Sequence, residues 1–228
     1  MATSFTDSKL LTAGEGGAVV TDDDALHDRL EQLRSDGRRV LPADELGQLE
    51  LIEVGDLLGR NLCLCELQAA VLQDRLRHLD EENEYRRQRA KELIDLLSQV
   101  PGVRCVTPDP RVTAPTYYNT LVRLDPAAFA DHGVDLLARA LSAELGEDAV
   151  HPTYVPLNRH RLLSKAWGTA GAELPVAEEA RRTCVTLPHR LLLEPAAGMA
   201  QIAEAFVKVQ RRGHELAGFD EGATRRAF

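Results

Sequence analysis

The chain has few lysines. Of its 27 basic residues only Lys9, Lys91, Lys165 and Lys208 are lysines, and they stand against 36 acidic residues. The formal net charge of -9 repels phosphate at long range, which argues against nucleic acid and against an anionic membrane surface as partners. No apolar run reaches the roughly 18 residues that a membrane-spanning helix needs. Met1–Phe5 has no basic stretch leading into an apolar block, so no signal peptide is expected. The four cysteines form no C-x-x-C pair and no Cys/His group at zinc spacing, so no metal site is expected. Cys63, Cys65, Cys105 and Cys184 are read as buried, reduced thiols. A hydrophobic content of 44% supports a packed core. These features together predict a soluble, cytoplasmic protein, and 228 residues suffice for one large domain or two small ones.

What is present is an alternation of helix and strand signals. A glycine-rich stretch, Gly14-Glu15-Gly16-Gly17, precedes a short strand at Ala18–Thr21. Asp22–Asp24 offer N-cap oxygens for a helix running to about Gly37, with Leu26, Leu30 and Leu33 on one face. Residues 38–58 read as a loop with short helical pieces. From Glu66 to about Val100 the leucine spacing is helical, with a bend or break expected at Asp80–Asn83 and a stop at Pro101-Gly102. Strands are expected at Val103–Val106, Tyr117–Leu124 and Thr183–Leu187. Helices are expected around Val134–Leu145 and from Pro195, at an N1-like position, where Met199, Ile202, Ala203, Phe206 and Val209 form a stripe. From Gly213 the tail should fray. The class is therefore α/β or α+β.

Lys9 is the first candidate for chemistry. Ser, Thr, Leu and Gly surround it rather than the charges of a solvated helix face. Partial desolvation favours the neutral, nucleophilic amine. Ser4, five residues earlier, offers a hydroxyl to a phosphate. The residues alone leave open a plain surface lysine ahead of a hairpin-like loop.

The segment from Ser4 to Gly17, with Lys9 inside it, resembles the active-site lysine segment of the DegT/DnrJ/EryC1/StrS aminotransferases. The resemblance continues through Gly59–Ala70, His151–Leu157 and Thr186-Leu187-Pro188. It implies a pyridoxal-phosphate-dependent transferase fold of the aspartate aminotransferase type (fold type I), with an incomplete large domain and a C-terminal α+β small domain. By that resemblance residues 1–60 are a remnant of the large, cofactor-binding domain. Residues 61–212 are the linking helix and small domain, and 213–228 a flexible tail. The cofactor that the resemblance implies is pyridoxal 5'-phosphate. Lys9 would bond to it covalently and then carry the proton between the substrate and the cofactor. Ser4 would hydrogen-bond the cofactor phosphate. Asn61 would reach the phosphate of a neighbouring subunit's cofactor, so the site would be shared across a homodimer. Tyr154 lies where the family's substrate-side loop falls.

Family members acting on sugars usually read Asn-Tyr-Arg-Met where this chain reads Asn61-Leu62-Cys63-Leu64. The pattern resembles the aminotransferases of aminoglycoside-type antibiotic biosynthesis that act on cyclitol ketones. It implies small-molecule substrates, with L-glutamine as donor and scyllo-inosose or 2-deoxy-scyllo-inosose as acceptor. Loss of an arginine suits an uncharged acceptor. A nucleotide-sugar aminotransferase, or a catalytically incomplete partner subunit, is the alternative. Family chains are longer and place the lysine near mid-chain, so this chain is expected to be a C-terminal part, inactive alone and a partner of a missing N-terminal half. The segments for the phosphate cradle, the ring-stacking aromatic and the pyridinium-pairing aspartate are expected to lie outside it.

Overall fold

The computed structural model describes residues 1–40, 51–146, 149–168 and 172–218. The chain forms two compact units, Met1–Asp80 and Glu81–Phe228. Among the described residues no helix is long and apolar enough to cross a membrane.

In the first unit β1 (Ala2–Ser4) pairs antiparallel with β2 (Gly17–Val19), setting Ser4 opposite Gly17. The loop between them is closed at its base, where Phe5 N–H donates to Gly16 C=O at 2.9 Å and Ala13 N–H donates to Phe5 C=O at 3.0 Å. Helix α1 (Asp24–Arg34) starts at Asp23, whose carboxylate accepts from Leu26 N–H at 2.9 Å. It ends three residues before the expected Gly37, because Asp36 and Gly37 take the left-handed φ values of 58° and 82°. The leucine stripe of α1 is not a core stripe. Leu26 and Leu33 remain 44% and 42% exposed, and among this helix's residues the buried one is Gln32. Leu30 and Leu33 instead line an open groove of about 690 Å³ shared with Val19, Leu58 and Leu62.

Residues 38–58 also depart from expectation. Strands β3 (Arg38–Val40) and β4 (Leu51–Glu53) form an antiparallel hairpin where helical pieces were expected. The stretch between them, 41–50, lies outside the described residues. Helix α2 (Glu66–Leu97) runs unbroken through Asp80–Asn83. The expected bend is absent because that stretch is stitched to the next turn. Arg86 is fully buried, pairs with Glu82 at 2.7 Å and donates to Asn83 at 2.9 Å.

The second unit holds the main core. Its sheet has the order β5 (Val103–Cys105), β6 (Asn119–Leu124), β8 (Cys184–Pro188), β7 (His151–Pro152), with every pairing antiparallel. Thr120, Val122 and Leu124 alternate inward as the period of two requires. Val122 and Leu124 join the core of Leu93 and Leu97 of α2, Leu137 and Leu141 of α3 (Val134–Leu145) and Phe206 of α6 (Ala196–Arg211). Burying each such side chain contributes about 1.5–3 kcal/mol. Pro195 is the N-cap of α6 rather than its first residue. Two short helices, α4 (Arg161–Trp167) and α5 (Pro175–Thr183), went unpredicted. Of the expected tail, Gly213–Gly218 form a 3₁₀ turn, with His132 Nε2 2.8 Å from Gly213 C=O, and residues 219–228 lie outside the described residues.

Candidate active site

Ser4, Lys9 and Asn61 lie in the first unit and Tyr154 in the second. Ser4 closes β1, half-buried. Its Oγ accepts from Thr6 N–H at 3.3 Å, and its own proton faces Thr6 Oγ1 at 3.4 Å, at the long limit of a hydrogen bond. That weak internal use leaves the hydroxyl able to donate to an anion.

Lys9 follows a tight turn in which its N–H donates to Thr6 C=O at 3.0 Å. The lysine is half-buried, in keeping with its apolar sequence surroundings. The loop that carries it is braced from inside. Phe5, buried at 8% exposure, anchors its start, and Phe5 C=O also accepts from Thr12 Oγ1 at 3.1 Å. Gly14 N–H in turn donates to Thr12 Oγ1 at 3.0 Å. A further brace comes from the first turn of α2. Gln68 Nε2 donates to Glu15 C=O at 2.9 Å and to Ala13 C=O at 3.5 Å. Leu64 adds an apolar contact, since a Cβ at Gly16 would stand 2.7 Å from Leu64 Cδ1.

Asn61 is exposed, on a segment clipped to the end of α1. Arg60 N–H donates to Leu33 C=O at 2.8 Å, Leu62 N–H to Arg34 C=O at 2.9 Å, and Asn61 bridges Ser35. The clip needs a bare backbone at Gly59. A Cβ there would overlap Gly37 N and Gln32 O and stand 2.9 Å from Asp36 C. Tyr154 follows β7 and is 85% exposed. The preceding Thr153 fixes its backbone by donating from N–H to Cys184 C=O at 3.2 Å and from Oγ1 to Ala180 C=O at 3.0 Å.

One reading of the sequence needs correction. Cys63 and Cys65 are exposed rather than buried, while Cys184 is buried and Cys105 is half-buried. Burial pushes the Cys105 thiol up to about 11. The missing arginine at position 63 does not leave that place without a cation either. Arg34 Nη1 donates to Cys63 Sγ at 3.8 Å. Hydrogen bonds to Glu31 hold the Arg34 guanidinium protonated above its already high value. Arg34, Gly59, Leu64 and Gln68 all shape the site, and sequence reasoning singled out none of them. The glycine two residues before Asn61 was the one visible signal.

The donor set fits the two ends of pyridoxal phosphate: the amine of a half-buried lysine for its aldehyde and an under-used hydroxyl for its phosphate. Phe5, the sole aromatic in residues 1–80, is committed to the loop core and does not supply a stacking face.

The model of the DegT/DnrJ/EryC1/StrS aminotransferase family matches residues 1–206. The L-glutamine:2-deoxy-scyllo-inosose aminotransferase of Micromonospora echinospora is 40% identical over 226 residues, which cover 94% of this chain and 54% of that protein. The L-glutamine:scyllo-inosose aminotransferase of Streptomyces griseus is 41% identical over 221 residues, covering 90% of this chain and 52% of that protein. Among solved structures, that of S. venezuelae DesV in complex with a ketimine intermediate is 30% identical, with a TM-score of 0.70 over 92% of this chain and 51% of that one. The chain spans about half the length of the curated relatives it matches.

Proposed function

The chain belongs to the DegT/DnrJ/EryC1/StrS aminotransferase family, and from that premise we propose that it is the lysine-bearing portion of a pyridoxal-phosphate-dependent aminotransferase. The proposed reaction moves an amino group from L-glutamine to a cyclitol ketone such as 2-deoxy-scyllo-inosose. The observation that supports this most is the likeness to the cyclitol aminotransferases over 94% of the chain, beside a family match that takes in the braced lysine loop.

Pyridoxal phosphate, when bound, supplies an electron sink for the carbon that bears the amino group. Lys9 would hold the cofactor through Nζ, and that nitrogen, when free, would carry the proton from the substrate's α-carbon to the cofactor. The bracing by Phe5, Thr12 and Gln68 keeps the amine in place between the two halves of a ping-pong cycle. Ser4 Oγ would donate to the phosphate. Asn61 serves the phosphate site of a neighbouring protomer, which makes the working unit a homodimer. Tyr154 stands on the substrate side.

The relatives act as chains about twice as long, so the reaction also draws on residues outside this chain. The test is co-expression with the portion of the Micromonospora echinospora protein that this chain does not match. The expected result is glutamine-dependent amination of 2-deoxy-scyllo-inosose, abolished in Lys9→Ala. A folded, cofactor-bound pair that aminates nucleotide-linked keto-sugars and not the cyclitol overturns the assigned acceptor.

A further inference from the structure

We propose that Arg104 and Arg123, on the outer face of the second unit's sheet, form a binding site for a phosphate group, free or carried on a small organic molecule. The proposal goes beyond the aminotransferase reading and does not depend on it. Arg104 of β5 and Arg123 of β6 are partners in the antiparallel register, and both are exposed. Residues directly opposite in such a pair hold their Cβ atoms about 4.5–5.5 Å apart on one face, and like charges there weaken the pairing. An anion held between the two guanidinium groups turns that repulsion into attraction.

The charges nearby do not neutralise the pair. Arg123 Nη2 donates to Glu179 Oε1 at 2.7 Å, and the other oxygen of the same carboxylate pairs with Arg182. One carboxylate thus serves two arginines, and among the described residues Arg104 forms no ion pair. The other acid beside them, Asp125, caps the turn Pro126–Phe129 by accepting from Ala127 N–H at 3.2 Å. Three arginines against two carboxylates leave this patch positive on a chain whose formal charge is -9. Salt screens the distant acids beyond about 8–10 Å, so the arginines at contact distance decide.

Arg104 and Arg123 border a cleft of about 430 Å³ that also takes in Gly102, Asp125 and Thr183. Its walls are built from fixed backbone. Asp125 N–H donates to Gly102 C=O at 2.8 Å, and a Cβ at Gly102 would stand 2.1 Å from Ala128 Cβ, so the turn closes down on the strand. Thr183 Oγ1 donates to Glu179 C=O at 2.8 Å, which ties the end of α5 at the cleft. The space exceeds that of a bare phosphate and admits a small organic group as well. Two planar guanidinium forks suit the doubly charged, three-oxygen phosphate group better than a singly charged carboxylate.

The test titrates the chain with inorganic phosphate and, in a second arm, with glycerol 3-phosphate, each against sodium chloride at equal ionic strength. Arginine Nε–H resonances are followed by NMR. Those of Arg104 and Arg123 report on the second unit, whereas Ser4, the proposed donor to the cofactor phosphate, lies in the first. The expected result is a saturable shift of both signals with phosphate and none with chloride, and the arm that saturates at lower concentration identifies the free ion or the ester as the ligand. Read at Arg123, Arg104→Gln weakens binding about ten- to a hundredfold, through loss of charge-assisted hydrogen bonds. Glu179→Gln frees Arg123 and Arg182 from a competing carboxylate and tightens binding about two- to fivefold, a gain that a misfolded variant does not give. The proposal is overturned by signals that do not move in either arm, by signals that move equally with chloride, or by a titration unchanged in Arg104→Gln.

Discussion

Replacing Gly59 by alanine tests whether the Asn61 segment is clipped to α1 as described. The added methyl meets backbone rather than a movable side chain: Gly37 N and Gln32 O in overlap, and Asp36 C at 2.9 Å. Overpacking costs about 1–3 kcal/mol. With three rigid neighbours the cost belongs in the upper half of that range, about 2–3 kcal/mol. It falls on the bonds from Arg60 N–H to Leu33 and from Leu62 N–H to Arg34. Local opening at those amides is read directly by hydrogen exchange. At tenfold per 1.4 kcal/mol, protection of Arg60 and Leu62 should fall by about thirty- to a hundredfold. Gly133→Ala is the control. That residue caps α3 at φ -69° with nothing within 4 Å of its Cβ position, so a loss of about 0.5–1 kcal/mol from the poorer N-cap is expected, with protection at Arg60 and Leu62 unchanged. Unchanged protection at Arg60 and Leu62 in Gly59→Ala would refute the clip.

Three further outcomes are expected. Mixing Lys9→Ala with Asn61→Ala protomers, each co-expressed with the complementing portion, should restore about a quarter of wild-type activity, because half the dimers formed at random carry one intact site of two. No restoration would place Asn61 in its own protomer's site. Gln68→Ala should lower exchange protection of the Ala13 amide by about fivefold, the loss of about 1 kcal/mol of bracing, and equal protection would remove α2 from the loop's support. Burial raises the Cys105 thiol from 9.0 to about 11, so its contribution to stability is intact below pH 9 and is lost as pH rises towards 11. Cys105→Ala should flatten that part of the unfolding profile, and an unaltered slope would show that another group titrates there.

The second unit was the more legible of the two. Thr120, Val122 and Leu124 alternate in a period of two, and Met199, Ile202 and Phe206 recur at helical spacing, because each pattern faces a core within the unit. The first unit was read less well for the complementary reason. Leu26, Leu30 and Leu33 have helical spacing, yet they face a groove, so the pattern gave the helix and misjudged its burial. The hairpin of β3 and β4 lacks a tight-turn signal, and two strands of three residues leave no periodicity to detect. At the site, Lys9 and Ser4 were visible as residue types in an unusual setting. Their support was not, because Gln68 reaches the loop across 53 residues and Arg34 reaches Cys63 across 29. The burial expected for the exposed cysteines failed because composition carries no information about which face of the Leu64 segment turns outward.

The central claim is that Lys9 is the cofactor-bearing lysine. The direct measurement is incubation of the chain with pyridoxal phosphate, reduction with borohydride and peptide mapping of the trapped group over the four lysines. Unselective chemistry favours Lys91, whose side chain is 83% exposed, over a half-buried lysine. The account predicts that the reduced cofactor is found mainly on Lys9 and that Ser4→Ala lowers that share. Labelling that follows exposure, with Lys91 ahead of Lys9, would contradict it.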